Sequence, residues 1–237
     1  MEHAHVTYEQ VLANGEPNRP LEFPSPMVGR GVRVNALVVD SHTGSRKVWS
    51  GVIHRENLIG TTGDSSHHHQ QQHQMINIQS SPYTSQFVAY APHKRLQDAI
   101  YGSVWACVVL RRHSGLAADD AARAARVEPN SVHAPIVWET TNEYVAIKMI
   151  EWSRVHHMRG RLLEDPVKEV AAMQLIGNTN PHVLGPIEVL QDNEYLFTVM
   201  PYCSGGDLFG VVVKYAEESG GEIGMPEPVG KIFNLYL

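Results

Sequence analysis

Alternating apolar positions predict a buried strand near the middle of the chain. Over residues 143–150, Val145, Ile147 and Met149 take every second position, and most of their neighbours are apolar as well. A strand with this pattern is covered on both faces. Lys148 lies inside it, and burying an ammonium group is costly unless an anion meets it. We therefore expect an acidic partner for Lys148. The alternative is a lysine at a strand edge whose stem reaches water.

A helix is predicted from Asp165 to Gly177, because Asp165 suits the N-cap and Gly177 the C-terminal stop. Glu169, Met173 and Ile176 then share one face at spacings of four and three. A carboxylate on an apolar face points inward and needs a cation. The alternative is an exposed glutamate at the helix margin, the commoner fate of this residue.

A third stretch begins with an apolar run at residues 195–203 and continues through Gly205 and Gly206 to Asp207. The pattern predicts a buried strand, a flexible turn and the start of a helix.

The segment before these elements is polar and rich in proline, which indicates an irregular arm over residues 1–93. Residues 32–40 and 47–53 favour strands around a turn, so the arm contains a predicted small hairpin. Residues 65–81 include clustered histidine and glutamine without the fixed spacing of a structural metal site, and we interpret them as a disordered linker. The folded part is predicted to cover residues 94–237.

An insertion is predicted at residues 113–141. Alanine and arginine are frequent at residues 117–126, which predicts a short surface helix whose charged residues form a solvated face.

Composition narrows the function classes. The 237 residues carry a formal net charge of −6, which gives no reason to expect binding to nucleic acid or to an anionic membrane. The two cysteines have no metal-type spacing and fit a reducing compartment. Neither a secretory signal nor an apolar run long enough to span a bilayer is present. The expectation is a cytoplasmic protein, with the nucleus as the alternative.

Taken together, these three stretches resemble the small lobe and hinge of the protein kinase family. The lysine strand, the glutamate helix 21 positions later and the strand that runs into a Gly-Gly turn follow the family's order. The resemblance implies an α+β fold with an antiparallel sheet, one regulatory helix and an incomplete helical large lobe. It also implies an ATP-dependent kinase acting on serine or threonine of a protein substrate. Lys148 would hold the α- and β-phosphates, Glu169 would orient Lys148, and Mg²⁺ would be required.

The resemblance also assigns a glycine-rich loop that covers the nucleotide. Gly102 and Val104 match its last glycine and its valine, whereas the first two glycine positions are Gln97 and Ala99. Val104 and Ala146 would line the adenine pocket. The missing glycines weaken the prediction of a tight phosphate cradle.

By the same resemblance Met200 lies at the gatekeeper position, at the end of the strand that enters the hinge. Pro201 would offer its carbonyl and Cys203 its amide to the adenine edge. Proline is tolerated there because only its carbonyl is used. Asp207 falls where an acidic residue meets the ribose.

The family's catalytic loop and its metal-binding Asp-Phe-Gly do not occur in this sequence. Residues 54–57 and 207–210 imitate them but lie at the wrong places in the order. Because these motifs supply the general base and the metal ligands, this piece is not expected to transfer phosphate by itself. The alternatives left open are the N-terminal part of a kinase and a non-catalytic kinase-like binding or regulatory module.

Overall fold

The computed structural model describes residues 24–56, 88–115, 117–127, 136–158, 165–177, 180 and 182–218. Seven strands and four helices occur among these residues. The strands are β1 (Gly29–Val39), β2 (Arg46–Arg55), β3 (Val88–Ala99), β4 (Gly102–Arg112), β5 (Trp138–Glu151), β6 (Glu188–Gln191) and β7 (Tyr195–Pro201). The helices are α1 (Ala118–Val127), α2 (Trp152–Met158), α3 (Pro166–Gly177) and α4 (Leu208–Glu218).

All seven strands belong to one sheet, which closes into a barrel in the order β1-β2-β3-β4-β5-β7-β6. Neighbouring strands are antiparallel except where β1 completes the barrel. There β1 runs parallel to β6 at Gly29 and Arg30 and parallel to β5 at Val38 and Val39. The mostly-sheet architecture is compatible with the predicted small-lobe sheet, but closure and the two parallel contacts were not predicted.

The predicted hairpin in the N-terminal segment is present and is formed by β1 and β2. Its turn is stabilised by Asp40, whose carboxylate accepts hydrogen bonds from the amides of His42 and Thr43 at 3.0 and 2.8 Å. These bonds lower the pKa of Asp40 below its usual value. Gly44 completes the turn with a φ of 66°, which glycine adopts without steric cost.

The boundary predicted at residue 94 requires correction, because the sheet crosses it. β3 already begins at Val88, and its first residues pair with β2 on one side and β4 on the other. A hairpin that completes a barrel is part of that barrel rather than of a separate arm.

The core lies on both faces of the sheet, and each of its two large clusters takes alternate residues along the strands. Its main cluster contains Ile53, Val88, Tyr90, Cys107, Val109, Val145, Ile147, Met149, Leu190, Phe197 and Val199. Burial there raises the pKa of the Cys107 thiol far above its ordinary range. A second cluster, built on Trp138 and Val38, lies on the opposite face of β2, β3 and β4, because its residues there alternate with those of the main cluster.

Helix α1 confirms the helix predicted in the insertion, but its charged residues are not all exposed to solvent as predicted. Asp120 is only 2% exposed and forms an ion pair with Arg46 at 2.6 Å. Ala124 of the same helix packs against Leu37 and Val39 of β1. The predicted solvated face is therefore wrong at Asp120. The insertion itself is shorter than predicted, since β4 ends at Arg112 and β5 begins at Trp138.

Outside the described residues lie residues 1–23 of the predicted arm, the histidine- and glutamine-rich linker at 65–81, and residues 219–237 of the predicted folded part. Within the part that the structure describes, no helix is long and apolar enough to cross a membrane.

Candidate functional site

Lys148 and Glu169 form an ion pair between strand β5 and helix α3. The ammonium group of Lys148 donates to both carboxylate oxygens of Glu169, at 2.6 and 2.8 Å. The Lys148 side chain is 22% exposed and that of Glu169 is 48% exposed. The acidic partner predicted for Lys148 is thus found, although solvent reaches the pair from the glutamate side.

Local sequence explains where α3 begins and how it turns Glu169 toward the strand. Asp165 caps the helix by accepting from the amide of Val167 at 3.0 Å. The helix buries Pro166, Val170 and Ala171 rather than the predicted face around Glu169. Glu169 instead lies at the margin of that face and is almost half exposed, but its carboxylate meets the cation that was predicted for it. Its position at the margin still allows contact with Lys148.

Strand register places several predicted residues on one face of the sheet, because residues directly opposite each other in antiparallel strands point the same way. Val104 of β4 lies opposite Lys148 of β5. Ala146 lies opposite Met200 of β7. Val104, Ala146 and Lys148 are half-buried, whereas Met200 is buried. We call these four residues, Val104, Ala146, Lys148 and Met200, the site face.

Thr198 was missed by the sequence analysis. It lies opposite Lys148 across β5 and β7 and is 1% exposed, on the side of the sheet that carries the site face. Its hydroxyl has no hydrogen-bond partner among the described residues, which is uncommon for a buried polar atom. A threonine in an apolar strand gives no signal in the sequence, because threonine also favours strands for steric reasons.

Gly102 lies at the tight turn between β3 and β4, opposite Ile150 of β5 and two residues before Val104. A Cβ atom at this position would lie 1.9 Å from the carbonyl oxygen of Met149 in β5. Close packing of the two strands is therefore sufficient to require glycine here. The adjacent Tyr101 is buried against Ile150 and Val170, and both Gln97 and Ala99 pair within the sheet.

The predicted hinge follows β7. Pro201 and Cys203 are exposed, and Cys203 is a free cysteine. The carboxylate of Asp207 accepts from the amide of Gly210 at 2.6 Å and thereby caps α4. Helix capping is thus a structural reason for an acidic residue at 207, independent of any ribose. The predicted strand, turn and helix are all present, with Gly206 at a φ of 80°.

The described residues do not provide a site for the implied metal. Among them, no group of three or more His, Cys, Asp or Glu side chains is placed to hold a metal ion. Within the described part of the chain, such a group is therefore not available to bind Mg²⁺.

Sequence comparison with known proteins agrees with the motifs. The chain is 34% identical over 83 residues to calcium-dependent protein kinase 5 of Plasmodium falciparum, which is 35% of this chain and 13% of that kinase. It is 38% identical over 74 residues to CBL-interacting serine/threonine-protein kinase 10 of Arabidopsis thaliana, 31% and 15% of the respective chains. About a third of this chain is similar to protein kinases.

A third relative, CBL-interacting protein kinase 11 of Oryza sativa subsp. japonica, is 36% identical over 75 residues, covering 32% of this chain and 14% of that kinase. The kinase-related chain thus spans only 13 to 15% of the length of these three relatives. No protein-family profile matches it. The predicted family resemblance is confirmed at this level.

Proposed function

We propose that this chain carries the nucleotide-binding small lobe of an ATP-dependent protein kinase that phosphorylates serine or threonine in proteins. The observation that carries the proposal is the ion pair between Lys148 and Glu169 beside the site face. In this proposal Lys148 contacts the α- and β-phosphates and Glu169 holds its ammonium group in place. Val104 and Ala146 contact the adenine ring, Met200 forms the gatekeeper, and the main chain of Pro201 and Cys203 meets the adenine edge.

The proposal predicts that Lys148 is the lysine closest to the phosphates of bound ATP. An ATP derivative with a reactive acyl group on its terminal phosphate should therefore acylate Lys148, and excess ATP should reduce that labelling to background. Lys168 and Lys214 are exposed on other elements and serve as controls whose labelling ATP does not change. Peptide mass spectrometry measures each site separately.

Two outcomes would contradict the proposal. One is labelling of Lys148 that excess ATP leaves unchanged, and the other is labelling of all lysines to the same extent. A Glu169→Gln variant tests the role of the carboxylate, because it keeps the shape and removes the charge. We expect the ATP-sensitive labelling of Lys148 to fall in this variant while the labelling of Lys168 and Lys214 stays the same.

A second candidate function is a non-catalytic kinase-like module that binds a partner or regulates a related kinase. The turn between β3 and β4 favours it. Gln97 and Ala99 stand where glycines would give phosphates access to the backbone, and sheet packing alone accounts for Gly102. An unchanged labelling pattern in the presence of ATP would support this second function.

A further inference from the structure

The position of helix α3 against the sheet requires contacts in addition to its ion pair with Lys148. Glu169 is almost half exposed, and partly exposed pairs of this kind are weak. An equilibrium between docked and displaced helix positions is therefore decided by the other contacts of α3. Those contacts come partly from Val170, which is buried among Tyr101, Ile150 and Leu196, and partly from the N-terminal segment.

The N-terminal segment reaches α3 just before β1 begins. The side-chain amide of Gln174 forms two hydrogen bonds with the main chain of Met27. Its Oε1 accepts from the Met27 amide at 2.8 Å, and its Nε2 donates to the Met27 carbonyl at 2.8 Å. The oxygen and the nitrogen of the Gln174 amide thus both bond to Met27. Two bonds fix the orientation of Met27 relative to α3 as well as its distance from the helix.

The residues that follow hold Met27 in place. Val28 packs against the cluster that contains Val170 of α3. Gly29 begins β1 and pairs with Leu190 of β6, where a Cβ atom on Gly29 would lie 3.1 Å from the Leu190 side chain. The partner of Gln174 is therefore anchored in the barrel and is not a free end of the chain.

We propose that Gln174 is a positioning residue through which the N-terminal strand β1 holds α3 where Glu169 meets Lys148. Gln174 is five residues after Glu169 on the same helix. Contacts that fix the position of Gln174 therefore also fix the position of Glu169, although Gln174 itself does not touch the site. The significance of this positioning for nucleotide binding rests on the proposed function. The contact itself is a property of this chain, because it joins α3 to a segment outside the kinase-like motifs.

The test replaces Gln174 by leucine, which keeps a similar size and removes both hydrogen bonds. Two measurements follow α3 without nucleotide. Carbodiimide coupling joins Lys148 to Glu169 only when the two side chains are in contact. The yield of this product is compared with the yield from the reference pair Lys214 and Glu218 in α4, whose charged atoms lie 3.8 Å apart. Hydrogen exchange measures opening of the α3 amides.

In Gln174→Leu we expect the relative yield of the Lys148–Glu169 product to fall and α3 exchange to accelerate about tenfold, as the loss of two ordinary hydrogen bonds predicts. Gln174→Glu keeps the acceptor for the Met27 amide but sets a carboxylate oxygen against the Met27 carbonyl in place of the donor, so both readouts should change in the same direction as in the leucine variant. Lys168→Met is the matched control on an exposed position of the same helix and should match the unmodified protein.

Unchanged coupling and exchange in Gln174→Leu would overturn the proposal, as would an equal change in Lys168→Met. Circular dichroism separates a displaced helix from general unfolding, and Gln174→Glu decides the matter if the leucine variant does not fold. Neither measurement uses ATP. A failure here therefore leaves the nucleotide proposal standing, and a failure of Lys148 labelling leaves the positioning result standing.

Discussion

Lys148 belongs to a strand whose alternate residues Val145, Ile147 and Met149 are buried, and a carboxylate from another element meets its ammonium group. Charge burial made this partner predictable, since an unpaired ammonium in such a strand would be costly. The sequence left open whether Glu169 is buried or exposed, because helix periodicity predicts which residues share a face but not how that face is rotated against the sheet. The roles of Thr198 and Gln174 could not be predicted from the sequence, because the hydrogen bonds that each residue makes or lacks depend on residues far away in the chain.

His54 is a second buried polar residue, and it has no role in the proposed site. It is 6% exposed, and its ring lies 5.6 Å from that of Trp138, a residue of the second cluster. Burial lowers the pKa of His54 below its ordinary value of 6.5. The native state therefore favours the neutral ring.

The pH dependence of stability should report this histidine. Below the ordinary pKa of 6.5 the unfolded chain binds more protons than the native state at His54, so the free energy of unfolding falls as the pH decreases through that value. Above it the contribution is fully present. Denaturant unfolding of His54→Phe should show a smaller loss between about pH 7 and 5 than the unmodified protein. An identical loss in both proteins would contradict the assignment.

At the scale of elements, strands β5 and β7 and helix α3 follow directly from local patterns. Helix α3 has its cap, its first-turn proline and its terminal glycine within the predicted range. Gly177 ends the helix, and packing gives a second reason for glycine at this position. A Cβ atom there would lie 2.3 Å from the Cα atom of Gly185. That contact with the loop before β6 could not be predicted from the helix alone.

The cap of α3 can be tested by substitution. Asp165→Ala removes the acceptor for the Val167 amide, and we expect a loss of about 1 kcal/mol in the stability of the first helical turn. Faster hydrogen exchange at the start of α3 measures the effect. Asp165→Asn is the control, because asparagine caps equally well. Equal exchange in the alanine variant and the unmodified protein would show that other contacts hold the turn.

At the scale of the whole molecule, closure of the sheet depends on side chains that are far apart in sequence. Glu188 at the start of β6 accepts from Arg55 at the end of β2, at 2.6 Å. Arg33 of β1 pairs with Glu194 at 2.7 Å and lies over the ring of Tyr195. These contacts tie the N-terminal hairpin to the strands that frame the site.

The ion pair between Arg46 and Asp120 provides a test of how α1 is attached to this barrel. Arg46→Met leaves the carboxylate of Asp120 buried without its cation, and we expect the protein to lose about 2 kcal/mol or more of stability. Chemical denaturation measures the loss. Arg46→Met combined with Asp120→Leu should recover most of it, because the buried charge is then gone. A double variant no more stable than the single one would indicate that the pair matters for packing rather than charge.

What the sequence determined by itself was local: the strand that carries Lys148, the capped helix that carries Glu169, the N-terminal hairpin and the kinase-like order of motifs. Each of these depends on residues close together in the chain, whose periodicity and turn chemistry are visible without a fold. Tertiary structure alone decided that the hairpin closes the barrel and that Gln174 meets Met27. Such contacts join residues a hundred or more positions apart, and their geometry arises only when the whole sheet is assembled.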